Sequence, residues 1–191
     1  MQDDISKLIE VCKNIYNRQL VSGKSGNVSA RLSKNYIAIT PTLKSLGDLE
    51  QKDIILIDME GKSLTRGKPS SESGMHLEIY KKRPDVNAIV HTHSPHVTGF
   101  SFSSSKMKRL EGFGEIKNPY IKSVDYETPG SWKLAEKVSE NIGKEDVVIL
   151  KNHGVVCLGK CLKEAESLAV FMEESAKTQF ISKILNSAKD I

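Results

Sequence analysis

The sequence has no long apolar run. Its longest aliphatic stretches, Ile54-Ile55-Leu56-Ile57 and Val147-Val148-Ile149-Leu150, fall far short of the ~20 residues that a membrane-spanning helix needs, so no membrane partner is expected. The first residues, Met1-Gln2-Asp3-Asp4, are acidic and lack the apolar segment of a secretory signal. Cysteine is scarce: Cys12, Cys157 and Cys161 form no CxxC pair, which argues against a thiolate metal site or a disulfide framework. Their odd number fits a reducing, cytoplasmic setting, with all three as small apolar fillers. Arginine is scarce too, five of 28 basic residues, and aromatics make up only 6%. Nucleic-acid surfaces concentrate Arg and Lys on one face and interleave aromatics for stacking. The densest basic cluster, Lys106-Met107-Lys108-Arg109, reads as a solvated loop, and no nucleic-acid partner is expected. Neither a Walker loop nor a GxGxxG motif occurs.

What remains is an ordinary globular composition. The 191 residues are 38% hydrophobic and 27% charged, with a net charge of +4. That length and balance suit a single domain, residues 1–191, able to bury a core. No repeat or linker divides it. The mild positive balance fits a small anionic substrate.

Hydrophobic periodicity alternates between helix and strand. Ile5, Leu8, Ile9, Cys12, Ile15, Tyr16 and Leu20 have helical spacing, with Asp3 or Asp4 as N-cap. Gly23-Lys24-Ser25-Gly26-Asn27 breaks that helix. Strands are expected over Val28–Leu32, Tyr36–Thr40 and Asp53–Asp58. A helix follows over Glu72–Lys82, then a buried strand over Val86–Thr92 and a short helix after Ser94-Pro95. Residues 101–118 carry no clear period. Tyr120–Val124 reads as a strand and Gly130–Ile142 as a helix capped by Ser131. Val147–Lys151 and Val155–Leu158 read as strands, and a last helix runs over Leu162–Ala188. One sheet flanked by helices accounts for this order.

His91-Thr92-His93 is the sharpest chemical signal. Residues i and i+2 of a strand share a face, so two imidazoles converge as a metal requires. His153, between Asn152 and Gly154 at the end of an apolar strand, is the third candidate. Three histidines with an open position suit a catalytic zinc site, although neutral imidazoles also suit copper, nickel or iron. Glu72, at a helix start, can ligate the metal or act as acid/base beside it. A first-turn acid is also what the helix dipole favours. Ser25-Gly26-Asn27, Thr42 and Ser70-Ser71 are small polar groups at turns, where free N–H groups bind phosphate; turn chemistry explains each equally well. His76, four residues after Glu72, and His96 are supporting residues at most.

Taken together, Ser25-Gly26-Asn27-Val28-Ser29, Ile39-Thr40-Pro41-Thr42, Lys68-Pro69-Ser70-Ser71-Glu72, His91-Thr92-His93-Ser94-Pro95 and Asn152-His153-Gly154 resemble the class II aldolase family, also called the aldolase/adducin-head family, in motif and in order. The resemblance runs from about residue 5 to residue 175. It implies an α/β fold of the α+β type, with a central mixed, mainly antiparallel sheet flanked by helices on both faces. It implies Zn²⁺ on His91, His93 and His153, with Glu72 as catalytic acid/base and as a metal ligand when substrate is absent. Gly26, Asn27, Thr42, Leu43, Ser70 and Ser71 would hold a substrate phosphate. The implied reaction is cleavage of a sugar phosphate, L-fuculose 1-phosphate or a close ketose 1-phosphate, in a homotetramer with active sites between subunits. Sugar-phosphate 4-epimerases of the family carry Asp where Glu72 stands, so Glu72 favours an aldolase. Methylthioribulose 1-phosphate dehydratases share both Glu and histidines. Adducin-like binding modules lack the ligands. Leu43 stands where many members have Gly, and Phe113, Tyr120 or Tyr126 would have to line the aldehyde pocket.

Overall fold

The computed structural model describes residues 2–110 and 118–188. Five helices are present among them: α1 (Gln2–Asn17), α2 (Ser73–Lys82), α3 (Pro95–Phe102), α4 (Trp132–Ile142) and α5 (Leu162–Ser187). Seven strands, β1 (Asn27–Arg31), β2 (Tyr36–Ile39), β3 (Ile55–Asp58), β4 (Ala88–Thr92), β5 (Ser123–Val124), β6 (Val147–Leu150) and β7 (Gly154–Gly159), join one sheet in the order β3-β2-β1-β4-β7-β6-β5. Every pairing is antiparallel except β5 with β6. This is the mixed, mainly antiparallel sheet that the family resemblance implies.

Strand alternation sorts the apolar residues into two cores. Val28, Ala30, Ala88, Val90, Val155 and Cys157 pack against α1, α3 and α5. Ile37, Ile39, Ile89, Val148, Val156 and Leu158 pack on the opposite face against α2 and α4. Helices therefore cover both faces. Cys12 and Cys157 are fully buried fillers, and their surroundings push both thiols well above their ordinary pKa.

Several boundaries differ from the sequence expectation, each for a local reason. Helix α1 begins at Gln2, which puts Asp3 and Asp4 in its first turn instead of at the cap. Asp53 is not in a strand: it closes a 3₁₀ turn, where its carboxylate accepts from the Glu50 N–H at 2.8 Å and from Lys44 Nζ at 2.5 Å. Val86 and Asn87 precede β4, and the strand expected over Tyr120–Val124 shrinks to Ser123–Val124, an edge segment with only β6 to pair with. The unreadable stretch after residue 100 completes α3 at Phe102. Ser131 does cap α4, its hydroxyl accepting from the Leu134 N–H at 3.1 Å.

Candidate metal and substrate site

The site lies where β4, the β6–β7 turn and the start of α2 meet. β4 ends on His91 and Thr92, and His93 follows one residue later. His153 closes the turn between β6 and β7, its N–H bonding to Leu150 O at 3.1 Å. Asn152 supplies the left-handed residue that such a short hairpin loop requires, at φ 56°. The three imidazole centroids form a near-equilateral triangle with sides of 4.8–4.9 Å.

Glu72 is the N-cap residue of α2, yet its side chain makes no capping hydrogen bond. The carboxylate turns inward. Oε2 lies 3.1 Å from His91 Nε2 and Oε1 lies 3.5 Å from His153 Nε2. One potential ligand atom from each of Glu72, His91, His93 and His153 falls within 4.8 Å of the others.

Electrostatics suit a cation at that point. Burial, reinforced by the neighbouring imidazoles, pushes His93 down to about 3 and His153 down to about 4. Both rings are therefore neutral near pH 7, as metal ligands must be. Burial also works against a charge on His91, but the Glu72 carboxylate overrides it and raises that pKa. Burial acts to raise the Glu72 pKa as well; the His91 charge and hydrogen bond, His153 and Asn27 outweigh it and hold the carboxyl well below its usual range. His91 Nδ1 donates to Val155 O at 2.9 Å, which leaves Nε2 as the ring atom turned to the cluster. His91 Nε2 and His93 Nε2 are only 3.0 Å apart, and Glu72 Oε1 is a buried acceptor with no hydrogen-bond partner. Close-packed nitrogen lone pairs and an orphaned carboxylate oxygen are what a divalent ion would satisfy. The residues fit a metal.

The three phosphate-loop candidates also come together. Val28 N–H bonds to Thr40 Oγ1 at 3.2 Å, Ser70 N–H to Thr40 O at 3.0 Å and Thr42 N–H to Lys68 O at 3.1 Å. The segments around Gly26, Thr42 and Ser70-Ser71 therefore run side by side and lead directly into Glu72. Gly26 has φ +77°, and a Cβ there would sit 2.5 Å from Val21 Cγ1 and 2.9 Å from His91 O. Leu43 is exposed and adopts φ 60°. It thus takes the left-handed conformation that glycine favours, at a cost of about 1–2 kcal/mol. A cleft of about 500 Å³, bounded by Tyr16, Val21, Ser22, Gly23 and Pro95, opens beside His93, a volume suited to a small ligand. A larger cleft of about 690 Å³ lies around Arg31, Lys7 and Lys160, away from the histidines.

Sequence reasoning missed a polar seam behind Glu72. Asn27, Ser29 and Arg31 share one face of β1, and Glu72, His76 and Tyr80 are spaced four apart along α2. Asn27 Nδ2 donates to Glu72 Oε2 at 2.9 Å, His76 Nε2 meets Asn27 Oδ1 at 2.6 Å, and Ser29 Oγ contacts His76 Nδ1 at 2.7 Å and Tyr80 OH at 2.8 Å. The Arg31 guanidinium stacks over the Tyr80 ring. The Asn27 amide, expected to hold phosphate, is engaged here by Glu72 and His76. His96 turns away from the cluster. Its ring and backbone N–H, with that of Val97, bind the Glu173 carboxylate, which tethers the start of α3 to α5. Tyr120 and Tyr126 are exposed and neither bonds to the cluster; Phe113 lies outside the described residues.

Known proteins resemble this chain in sequence and fold. The family described as Class II Aldolase and Adducin N-terminal domain matches residues 6–180. An L-fuculose phosphate aldolase of Methanococcus maripaludis is 45% identical over 93% of this chain and 97% of its own length. A 3-oxo-tetronate 4-phosphate decarboxylase of Haemophilus influenzae is 34% identical over 91% of this chain and 85% of its own. The crystal structure of L-fuculose-1-phosphate aldolase from Thermus thermophilus superposes with a TM-score of 0.86 at 25% identity, covering 100% of both chains. The chain belongs to the class II aldolase and adducin family. Within it, the chain is an enzyme, a lyase of the class II aldolase type.

Proposed function

We propose that the chain is a zinc-dependent aldolase that cleaves L-fuculose 1-phosphate, or a close ketose 1-phosphate, to dihydroxyacetone phosphate and L-lactaldehyde. The observation that carries this reading is the convergence of Glu72, His91, His93 and His153 within 4.8 Å, beside the adjoining loop segments around Gly26, Thr42 and Ser70-Ser71. Three imidazoles and one carboxylate suit Zn²⁺ with a position open to substrate. The 45% identity to a protein named for this activity supports the substrate.

A bound divalent ion supplies Lewis-acid stabilisation of the negative charge that builds on the substrate oxygens when C3–C4 breaks. The remaining work falls to the chain. Gly26, Asn27, Thr42, Leu43, Ser70 and Ser71 anchor the phosphate, with the Thr42, Ser70 and Ser71 hydroxyls as donors, which fixes C3 relative to Glu72. Glu72, ionised at neutral pH, accepts the C3 proton in the synthesis direction and returns it to C3 in cleavage. Its unpartnered Oε1 is the oxygen available for that transfer. No lysine Schiff base is required.

The decarboxylase relative gives one further reading of the same site. Loss of CO₂ from a 3-oxo-tetronate 4-phosphate leaves the same enediolate as aldol cleavage, so identical residues serve both. Glu72 in place of Asp argues against an epimerase; a dehydratase would be recognised by its product. We further propose a cytoplasmic homotetramer with active sites at subunit interfaces. Exposed Phe180, Ile181, Ile184 and Leu185 on α5 supply apolar surface for assembly, and the described residues include no helix long and apolar enough to cross a membrane.

Release of dihydroxyacetone phosphate from L-fuculose 1-phosphate, measured with and without chelator and after zinc is restored, tests the reading. Chelator-sensitive release that zinc recovers supports it. A folded, zinc-loaded protein that releases none refutes it.

A further inference from the structure

His76 is completely buried, and no step of the proposed reaction uses it. Its hydrogen bonds nevertheless have a determined direction. Asn27 Nδ2 faces the Glu72 carboxylate at 2.9 Å, and a carboxylate only accepts, so the NH₂ group of Asn27 is on that side. Asn27 Oδ1 then faces His76 Nε2 at 2.6 Å and can only accept, so Nε2 carries the proton. Both ring nitrogens bond to neutral groups, Asn27 and Ser29, inside a fully buried site, so the ring is neutral and Nδ1 is an acceptor. Ser29 Oγ must donate to it at 2.7 Å and in turn accept from Tyr80 OH at 2.8 Å. Every donor in the chain Tyr80–Ser29–His76–Asn27 points toward Glu72.

We propose that His76 is a positioning residue for Glu72, acting through Asn27. An isolated asparagine amide can flip, and flipping would present Oδ1 to the Glu72 carboxylate, two acceptors facing each other. The Nε2–H of His76 forbids the flip, because the reversed amide would set its NH₂ against that N–H. Glu72 Oε2 is thereby held by a fixed donor, while Oε1 is left without a hydrogen bond. The two oxygens become inequivalent: Oε2, held by Asn27, lies 3.1 Å from His91 Nε2, and the unbonded Oε1 lies 3.5 Å from His153 Nε2. Strand and helix geometry keep the seam in step. Two strand residues advance about 6.7 Å and four helical residues about 6.0 Å, so Asn27 and Ser29 track Glu72, His76 and Tyr80. This inference rests on Glu72 as the acid/base of the proposed aldolase, but its structural half can be read without activity.

The test uses the full-length, zinc-loaded protein with His76→Phe and His76→Gln. Solvent-hydrogen exchange at C3 of dihydroxyacetone phosphate isolates the proton transfer from carbon–carbon cleavage. His76→Phe should keep its zinc stoichiometry and lose about 10- to 100-fold in exchange rate, the usual effect of removing an outer-shell partner. His76→Gln retains an N–H for Asn27 Oδ1 and should recover most of that loss. Wild-type exchange in a folded His76→Phe would overturn the proposal. If that variant fails to fold, the wild-type protein still decides. Long-range ¹H–¹⁵N spectra of the histidine rings should show His76 as the Nε2–H tautomer, and an Nδ1–H tautomer would overturn the proposal. Absence of exchange in the wild type would remove the aldolase reading and leave the tautomer result standing separately.

Discussion

Gly154 offers a test of how tightly β4 and β7 are locked beside the histidine cluster. It opens β7 directly after His153. A Cβ placed there would lie 2.4 Å from Thr92 O, 3.0 Å from His93 Cδ2 and 3.4 Å from His91 Cε1. Carbon–oxygen contacts between neighbouring strands run at about 3.3–3.6 Å, so Gly154→Ala requires β7 and β4 to separate by about 0.9 Å at this point. The first obstacle is a backbone carbonyl, which no rotamer change can move. Overpacking of this kind costs about 1–3 kcal/mol. At about 2 kcal/mol the apo protein should melt roughly 4–8 °C lower. The effect on metal should be larger than on folding, because metal sites tolerate only about 0.2 Å of error in ligand distance and the displacement falls between His153 and the other two imidazoles. We expect zinc affinity to fall about 10- to 100-fold, measured by competition with a chromophoric chelator, with scanning calorimetry on the apo form. Gly99→Ala is the control. Gly99 lies within α3 with open space where a Cβ would stand, and alanine there should stabilise by about 0.4–1 kcal/mol. A Gly154→Ala protein with wild-type melting temperature and zinc affinity would refute the close approach of β4 and β7.

His153→Ala removes one corner of the imidazole triangle and should abolish both tight zinc binding and turnover; full metal content by elemental analysis would take His153 out of the site. Glu72→Gln keeps the shape of the side chain and should retain zinc while losing about 10²–10⁴ in turnover. Near-normal kinetics would reduce Glu72 to a helix-start acid. Acid should destabilise the metal-free protein partly through His76. Its folded pKa is depressed to about 3, so below the unfolded value of about 6.5 the unfolded chain binds one more proton, and stability falls as pH falls through that window. Moving from pH 7.5 to 5.0 should cost about 2 kcal/mol from this residue alone. Urea unfolding at the two pH values should therefore show His76→Phe losing less stability than wild type, and equal losses would contradict a neutral buried ring.

Local rules read most of the scaffold from the sequence because local causes built it. Apolar alternation marks β1, short apolar runs mark β2, β4 and β7, and helical spacing marks α1, α4 and α5. They failed where a tertiary partner decides the outcome. Asp53 looks like the start of a strand, but Lys44 and the Glu50 N–H hold its carboxylate in a turn. Tyr120 has strand propensity, but it makes only an isolated bridge with Lys108, and Ser123 and Val124 alone of that stretch join the sheet. The same division runs through the site. His91 and His93 were legible because their spacing is a strand period, and His153 because it interrupts an apolar run. His76 looked incidental because its meaning depends on Asn27, 49 residues away, and on Ser29, 47 residues away. The residues were in plain view as Asn27-x-Ser29-x-Arg31 and as Glu72, His76 and Tyr80 at intervals of four. What no local rule supplies is that a period of two on a strand and a period of four on a helix have nearly the same length. Once β1 and α2 lie side by side, three polar residues on each pair rung by rung. The seam ends at Glu72, beside His91 of β4, because Asn27 and His91 are directly paired across the sheet. The register that places the candidate metal ligands is thus also the register that orients the Glu72 carboxylate beside them.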